Sequence, residues 1–468
     1  MSLVLAVAFA GASTAALSAW LVAAKLHQEL GALRHVASSR DRSGVDTLTG
    51  LANRDGLARA LRVTHSRRGD VAGNIGVVVL DLARFGQVNE SLGRCAGDQV
   101  LVEVGRRLKS TVREQGILAR VSGDRFIVLL EPSVTADGAL GAATRLAERI
   151  SGVVMADGES PVHVRAHVGV AIGPRGQSAR VVEDAELAAN WAKVDHFTGP
   201  TMFDDSMRER ADASFTMAQQ LETALSRDEL FVVYQPIHEL PSGRLSGLEA
   251  LLRWKSPTLG SVGPNEFIPL AEQSGAIVGF GAWVLHRACH DVQAISMDPS
   301  ISVSVNVSVH QLRSGGLADT VRVALDESRL DPGRLRLEVT ESTMASPDEV
   351  GDQLESIRAM GVRISLDDVG TGYSSVGQLA NLPIDTIKLD RSLLPVHQAE
   401  DPATHVFVGL ASLGQSLGLE VVAEGIETEF QSLLASQAGC SHEQGFLRSR
   451  PLSIDAAIRY ADAPTLRH

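Results

Sequence analysis

"RISLDDVG", Arg363–Gly370, is an apolar run that ends in two adjacent carboxylates, Asp367 and Asp368, and then breaks at a glycine. Like charges repel at that spacing, and a strand end seldom needs two of them. Seven further segments share the design: "LFVVYQPI" (230–237), "LSGLEALLRW" (245–254), "ISVSVNVS" (301–308), "RLRLEVTES" (334–342), "IDTIKLD" (384–390), "LEVVAEGI" (419–426) and "EQGFLRS" (443–449). Each is a short β-rich run carrying a polar group, and helical patterns lie between them. Eight nearly equal strand–helix units match a (β/α)8 barrel and favour closure over a doubly wound open sheet.

In such barrels the reactive groups sit at the C-terminal ends of the strands. Reading those ends in order gives Glu249, Asn306, Glu338 with Glu341, Asp367 with Asp368, Lys388, Glu424 with Glu427, and Gln444. Any one of them has a bland explanation: a strand-end Glu caps a helix, an Asn makes a turn, a Lys pairs with an acid. Together they do not, because several carboxylates converge only where cations neutralise them. Oxygen ligands without His or Cys specify hard ions, Mg²⁺ or Mn²⁺. Adjacent aspartates allow one carboxylate to bridge two ions about 3.5–4 Å apart while its neighbour binds the second.

The remaining composition frames this site. The chain has 468 residues, 44% hydrophobic and 21% charged, enough for two or three domains with cores of their own. A net charge of −13 and 4% aromatic residues argue against non-specific nucleic-acid binding and base-stacking platforms. Three widely spaced cysteines, Cys95, Cys289 and Cys440, form no disulfide framework or zinc pattern and fit a reducing compartment. "LVLAVAFAGASTAALSAWLVAA", Leu3–Ala24, is uncharged and about long enough to cross a ~30 Å hydrocarbon core. Lys25, Arg34, Arg40 and Arg42 follow it, which places the C-terminal side in the cytoplasm. The competing reading, a cleaved signal peptide, lacks its basic n-region and short apolar core. The expected order is a transmembrane helix (1–24), a juxtamembrane linker (25–45), an α/β domain (46–204), a connecting helix (205–228) and the barrel (229–468). On this reading the protein is a single-pass protein of the cytoplasmic membrane.

The barrel segment resembles the EAL family of cyclic-di-GMP phosphodiesterases, through "YQPI", "GLEALLRW", "VNVS", "LEVTES", "LDDVGTGYSS", "IDTIKLD", "VVAEGIET" and "QGFLRSRPL". The resemblance implies a modified TIM barrel that cleaves cyclic di-GMP to linear pGpG. It implies that Glu249, Asn306, Glu338 and Asp367 ligate a first metal, and Asp367, Asp368 and Glu424 a second. Lys388 resembles the residue that orients the attacking water. Gln235 and Arg253 resemble ligand-binding residues; Gln444 and Glu341 look supportive. The loop Gly370–Ser375 resembles one that links dimerisation to metal binding, so a homodimer is implied, although Val369 stands where the family usually has Phe. The alternative to an enzyme is a cyclic-di-GMP receptor that binds without hydrolysis. Such receptors are expected to lack metal ligands or the lysine, and this chain has all of them.

The first domain is similar to the GGDEF family of diguanylate cyclases, through "DTLTGLANRDGL" (46–57), "LDLARFGQVNESLGRCAGDQVL" (80–101) and "RVSGDRF" (120–126). It departs at the signature: Ser122 replaces a glycine and Arg125 replaces an acid, which argues against cyclase activity. Asp81 and Asp124 stand where the family holds Mg²⁺, and Asn89 and Asp98 where it recognises guanine. Lys193 sits at a phosphate-contacting position, while Phe197 replaces a basic residue. Arg113 is present at the family's inhibitory product site, but Gly116 replaces its Asp. The expectation is a degenerate GGDEF domain that acts as a GTP-binding regulator with Mg²⁺, or else a vestigial scaffold.

Overall fold

The computed structural model describes residues 44–66, 73–112, 116–130, 134–156, 160–194, 199–341, 343, 347–370, 382–395 and 402–463. The expected membrane span, most of its linker, Arg113, Phe197 and loop residues 371–375 lie outside these. Among the described residues no single helix is long and apolar enough to cross a membrane. The chain forms two compact units, Met1–Ala213 and Ser214–His468.

The first unit is built on strands β1 (Asn74–Leu82), β2 (Ile117–Ser122), β3 (Arg125–Leu130), β4 (Gly152–Ala156), β5 (Ser160–Val164), β6 (Ala166–Pro174) and β7 (Thr201–Met202). Five form one sheet in the order β2-β3-β1-β6-β7, and β4–β5 make a separate hairpin. β1 is buried from Ile75 to Leu82, as a central strand covered on both faces must be. Val78, Leu80 and Leu82 pack with Val100, Val104 and Leu146 from helices Phe85–Thr111 and Ala136–Ile150. Ile75, Val77 and Val79 pack on the other face with Leu57, Val181, Ala185 and Ala189. By the two-residue alternation of a strand, Asp81 belongs to this second face, toward helix Ser178–Val194.

The second unit contains β8 (Leu230–Glu239), β9 (Leu245–Ser256), β10 (Gly260–Val262), β11 (Ser302–Asn306), β12 (Leu335–Thr340), β13 (Arg363–Val369), β14 (Thr386–Leu389), β15 (Glu420–Ala423) and β16 (His442–Gln444). β9 pairs with β11, the ladder continues through β16, and β8 closes it by pairing with both β16 and β9. Each expected segment overlaps one of the eight strands of a closed barrel, with β10 added to the edge of β9; the last strand ends at Gln444, so residues 445–449 of the expected segment lie beyond it. The barrel is not wholly parallel. β8 runs antiparallel to both neighbours because a hairpin, not a helix, joins it to β9.

Alternation along each strand divides the side chains. Val303, Val305, Leu335, Leu337, Ile364, Leu366, Ile387, Leu389 and Val421 join the buried apolar layer under the helices. The intervening residues, such as Ser304, Glu338, Ser365 and Lys388, line the barrel interior. β8 is also tied to helix Ala276–Ile295 through a buried bond: Tyr234 Oη donates to Asp291 Oδ2 at 2.6 Å, and Arg287 Nε donates to the same oxygen at 2.8 Å.

Candidate active site

The interior positions of β9, β11, β12, β13, β14, β15 and β16 bring seven of the predicted residues together. Lys388, 2% exposed, is the hub. Its Nζ lies 2.8 Å from Glu338 Oε2, 2.5 Å from Glu424 Oε1, 3.4 Å from Asp367 Oδ1 and 3.8 Å from Glu249 Oε2. Glu249 in turn accepts from Asn306 Nδ2 at 2.7 Å and from Gln444 Nε2 at 2.6 Å.

The electrostatics show how unevenly one amine serves four acids. Burial pulls the Lys388 amine down, but Asp367, Glu249, Glu338 and Glu424 outweigh it and hold the group well above the ordinary lysine range. Glu249 also resists burial, held below the usual carboxylate range by Lys388, Gln444 and Asn306. Glu338 is pushed well up by burial and by the charges of Glu249 and Asp367. Glu424 is pushed up to about 8 by burial, then by Asp367 and Glu249. Negative charge is thus in excess. Three buried oxygens, Glu338 Oε1, Gln444 Oε1 and Asp367 Oδ1, receive no hydrogen bond from the described residues. For Asp367 Oδ1 the ammonium at 3.4 Å is an ion-pair neighbour only.

The adjacent aspartates have a structural answer. In a regular strand, Asp367 and Asp368 point to opposite faces. Here the β13–β14 register shifts between Leu366 and Val369, and Asp368 takes a left-handed backbone, φ 56°. One oxygen each of Asp367, Asp368 and Glu424 consequently lies within 4.8 Å of the others. A left-handed non-glycine residue costs about 1–2 kcal/mol, and Gly370 continues the bend at φ 106°. Burial and Asp367 raise the Asp368 carboxyl.

The other predicted residues are placed as follows. Gln235 sits opposite Glu249 across the β8–β9 ladder, with Nε2 3.5 Å from Ser449 O. Arg253 is two positions beyond Leu251 on β9 and donates to Leu252 O at 2.9 Å. Glu341 is buried immediately after β12. In the first unit, Asp81 is buried and bound by Arg125, whose Nη2 and Nε lie 2.7 and 3.1 Å from Asp81 Oδ2. Asp124 occupies the β2–β3 turn, its carboxyl raised by burial and by Asp81. Lys193 is exposed, 3.9 Å from Asp81 Oδ1. Asn89 and Asp98 flank the kink at Gly93 in helix Phe85–Thr111, where Asn89 Oδ1 fills the space beside Gly97.

Sequence reading missed the layer beneath Lys388. A polar cavity of about 350 Å³, lined by Ser304, Arg336, Ser365, Thr386 and His442, runs down the barrel from Glu338 and Lys388. Arg336 crosses it to reach Thr386 Oγ1 at 2.5 Å and Glu420 Oε2 at 2.7 Å. The available signal was the residue two positions before each predicted site residue, which shares its face: Arg336 before Glu338, Ser365 before Asp367, Thr386 before Lys388.

Gly445 lets β16 approach the turn after Glu424. A Cβ there would stand 2.0 Å from Ile426 O and 2.3 Å from Ile426 N. Gly445→Ala is expected to cost about 1–3 kcal/mol by overpacking. Gly409→Ala, on open helix surface, is expected to stabilise by up to about 1 kcal/mol. Paired denaturant melts check both signs.

The family models agree with this architecture. The EAL domain matches residues 218–451, and the diguanylate cyclase, GGDEF domain, matches residues 43–198. Two relatives come from Pseudomonas aeruginosa. The bifunctional diguanylate cyclase/cyclic di-GMP phosphodiesterase MucR is 38% identical over 427 residues, 88% of this chain and 61% of MucR. The cyclic di-GMP phosphodiesterase NbdA is 36% identical over 443 residues, 92% of this chain and 56% of NbdA. The chain thus spans little more than half the length of these relatives. The structure of the EAL enzyme Bd1971 in its cAMP- and cyclic-di-GMP-bound form matches with TM-score 0.52 and 28% identity, over 65% of this chain and 84% of that one.

Proposed function

Since the chain belongs to the family of tandem GGDEF–EAL proteins, we propose that its barrel hydrolyses cyclic di-GMP to linear pGpG with two hard divalent cations, Mg²⁺ or Mn²⁺. The observation that carries this is the convergence of Glu249, Glu338, Asp367 and Glu424 on one lysine, with Asn306 bonded to Glu249, Asp368 beside Asp367 and Glu424, and buried oxygens that receive no hydrogen bond from the described residues. Two relatives named as cyclic di-GMP phosphodiesterases support the substrate.

Glu249, Asn306, Glu338 and Asp367 would hold one ion, and Asp367, Asp368 and Glu424 the other. Such ions, when bound, lower the pKa of a water and offset charge on the phosphoryl oxygens. Lys388 offers a fixed N–H donor beside them and orients the attacking water. Gln444 keeps Glu249 in place, Gln235 and Arg253 bind substrate, and Glu341 supports the loop after β13.

In the first unit, a cation stands at a position the cyclases give to an acid. We read it as a catalytically silent GGDEF domain that regulates the barrel through GTP. The apolar segment 3–24 is read as a single membrane anchor with the barrel in the cytoplasm, and the active form as a homodimer. Incubating the protein with cyclic di-GMP and Mg²⁺, then Mn²⁺, is expected to yield pGpG on chromatography; intact substrate in both rejects the proposal. With GTP as sole nucleotide no cyclic di-GMP is expected, and GTP added to the phosphodiesterase assay is expected to change its rate. A flat response leaves the unit as a scaffold.

A further inference from the structure

Arg125 stands directly opposite Asp81 in the antiparallel β1–β3 ladder. Two of its N–H groups converge on Asp81 Oδ2, at 2.7 and 3.1 Å. Nη2 also donates to Asn190 Oδ1 at 3.2 Å, and Nη1 lies 3.9 Å from Glu186 Oε1. The other Asp81 oxygen, Oδ1, has Lys193 Nζ at 3.9 Å. Asp81 itself is 5% exposed. Both oxygens of this carboxylate therefore already face a positive group.

A Mg²⁺ ion ligated by Asp81 needs an oxygen at about 2.0–2.1 Å. At Oδ2 it would have to displace a guanidinium held by two hydrogen bonds, and at Oδ1 it would still lie beside the charge of that guanidinium, with the exposed Lys193 ammonium close by. Arginine cannot relieve that repulsion by losing its proton. The bidentate arrangement also holds Arg125 to helix Ser178–Val194 through Asn190, so the side chain is not free to swing away without breaking both contacts.

We infer that the Arg125 guanidinium is the resident cation of this cleft and excludes metal from Asp81, the buried acid of the expected Asp81–Asp124 pair. The expectation of Mg²⁺ at these two residues does not fit the residues present. The inference goes beyond the phosphodiesterase reading and is independent of it: it leaves Asp81 without a divalent ion whatever the barrel binds.

The test is a manganese count on the full chain. Equilibrium dialysis against Mn²⁺, with a non-hydrolysable GTP analogue equal on both sides, gives the number of protein-bound ions. Asp81→Asn is expected to leave that number unchanged, and Arg125→Glu to raise it by at least one. Loss of one or more ions in Asp81→Asn overturns the inference. Should Asp81→Asn fail to fold, Asp124→Asn asks the same question. Asp368→Asn reports separately on the barrel, so a failure of the barrel reading is distinguishable.

Discussion

Lys388→Ala is expected to abolish phosphodiester hydrolysis, lowering kcat by about 10³-fold or more, since it removes a fixed donor and the charge that offsets four acids. Its effect on stability depends on metal. The amine is 2% exposed and touches Glu338, Glu424, Asp367 and Glu249. Deleting one partner of a buried ionic cluster costs about 3–5 kcal/mol, because the remaining charges stay desolvated. The metal-free variant should therefore unfold at clearly lower urea than the wild type. Added Mg²⁺ should recover a large part of that difference by supplying the missing positive charge, without restoring turnover. Parallel melts with EDTA and with Mg²⁺, beside a pGpG assay, separate the two effects. Hydrolysis at the wild-type rate in Lys388→Ala would remove the residue from the mechanism, and metal-independent melts would remove the carboxylates from metal binding.

Acidification is expected to destabilise the barrel through His238. Its ring lies on β8, 4% exposed, with Nδ1 given no hydrogen bond by the described residues and Nε2 3.1 Å from Tyr460 Oη. Burial, with the nearby charge of Arg448, lowers its pKa from 6.5 to about 4. A histidine depressed in the folded state takes up protons first in the unfolded chain. Its contribution is thus fully present above about pH 6.5 and is lost as pH falls toward 4. The shift corresponds to a loss of about 2 kcal/mol by pH 5 and about 3 kcal/mol by pH 4. His238→Gln keeps a polar side chain but cannot titrate, so its stability should fall by about that much less over the same range. Denaturant midpoints at pH 7 and pH 5 for the two proteins decide it. Equal losses would place the acid sensitivity elsewhere.

Much of the barrel and its site was legible because charged and amide side chains interrupt apolar runs. A carboxylate at the end of "RLRLEVT" or an amide at the end of "ISVSVN" is costly on a plain strand, so its position marks both the strand and the site. Glu249, Asn306, Glu338, Asp367, Lys388, Glu424 and Gln444 meet as that logic requires. The direction of β8 was not legible in the same way, since a strand reads alike whether a hairpin or a crossover follows it. The polar layer under Lys388 was overlooked because Arg336 and Thr386 each look like ordinary surface residues until both strands are seen to face one interior.

The local pattern of this chain was enough to mark eight strand segments and which acids stand at their ends, and to favour a closed barrel, because alternation and charge are properties of neighbouring residues. Three things belong to tertiary structure alone. The left-handed turn at Asp368 aims two successive carboxylates at one point. The fourfold pairing of Lys388 draws on three other strands and the residue just after β15. The guanidinium of Arg125 rests on Asp81, a residue 44 positions away. Each depends on register and backbone torsion across the sheet, and those are set by the packing of the whole unit rather than by any short stretch of it.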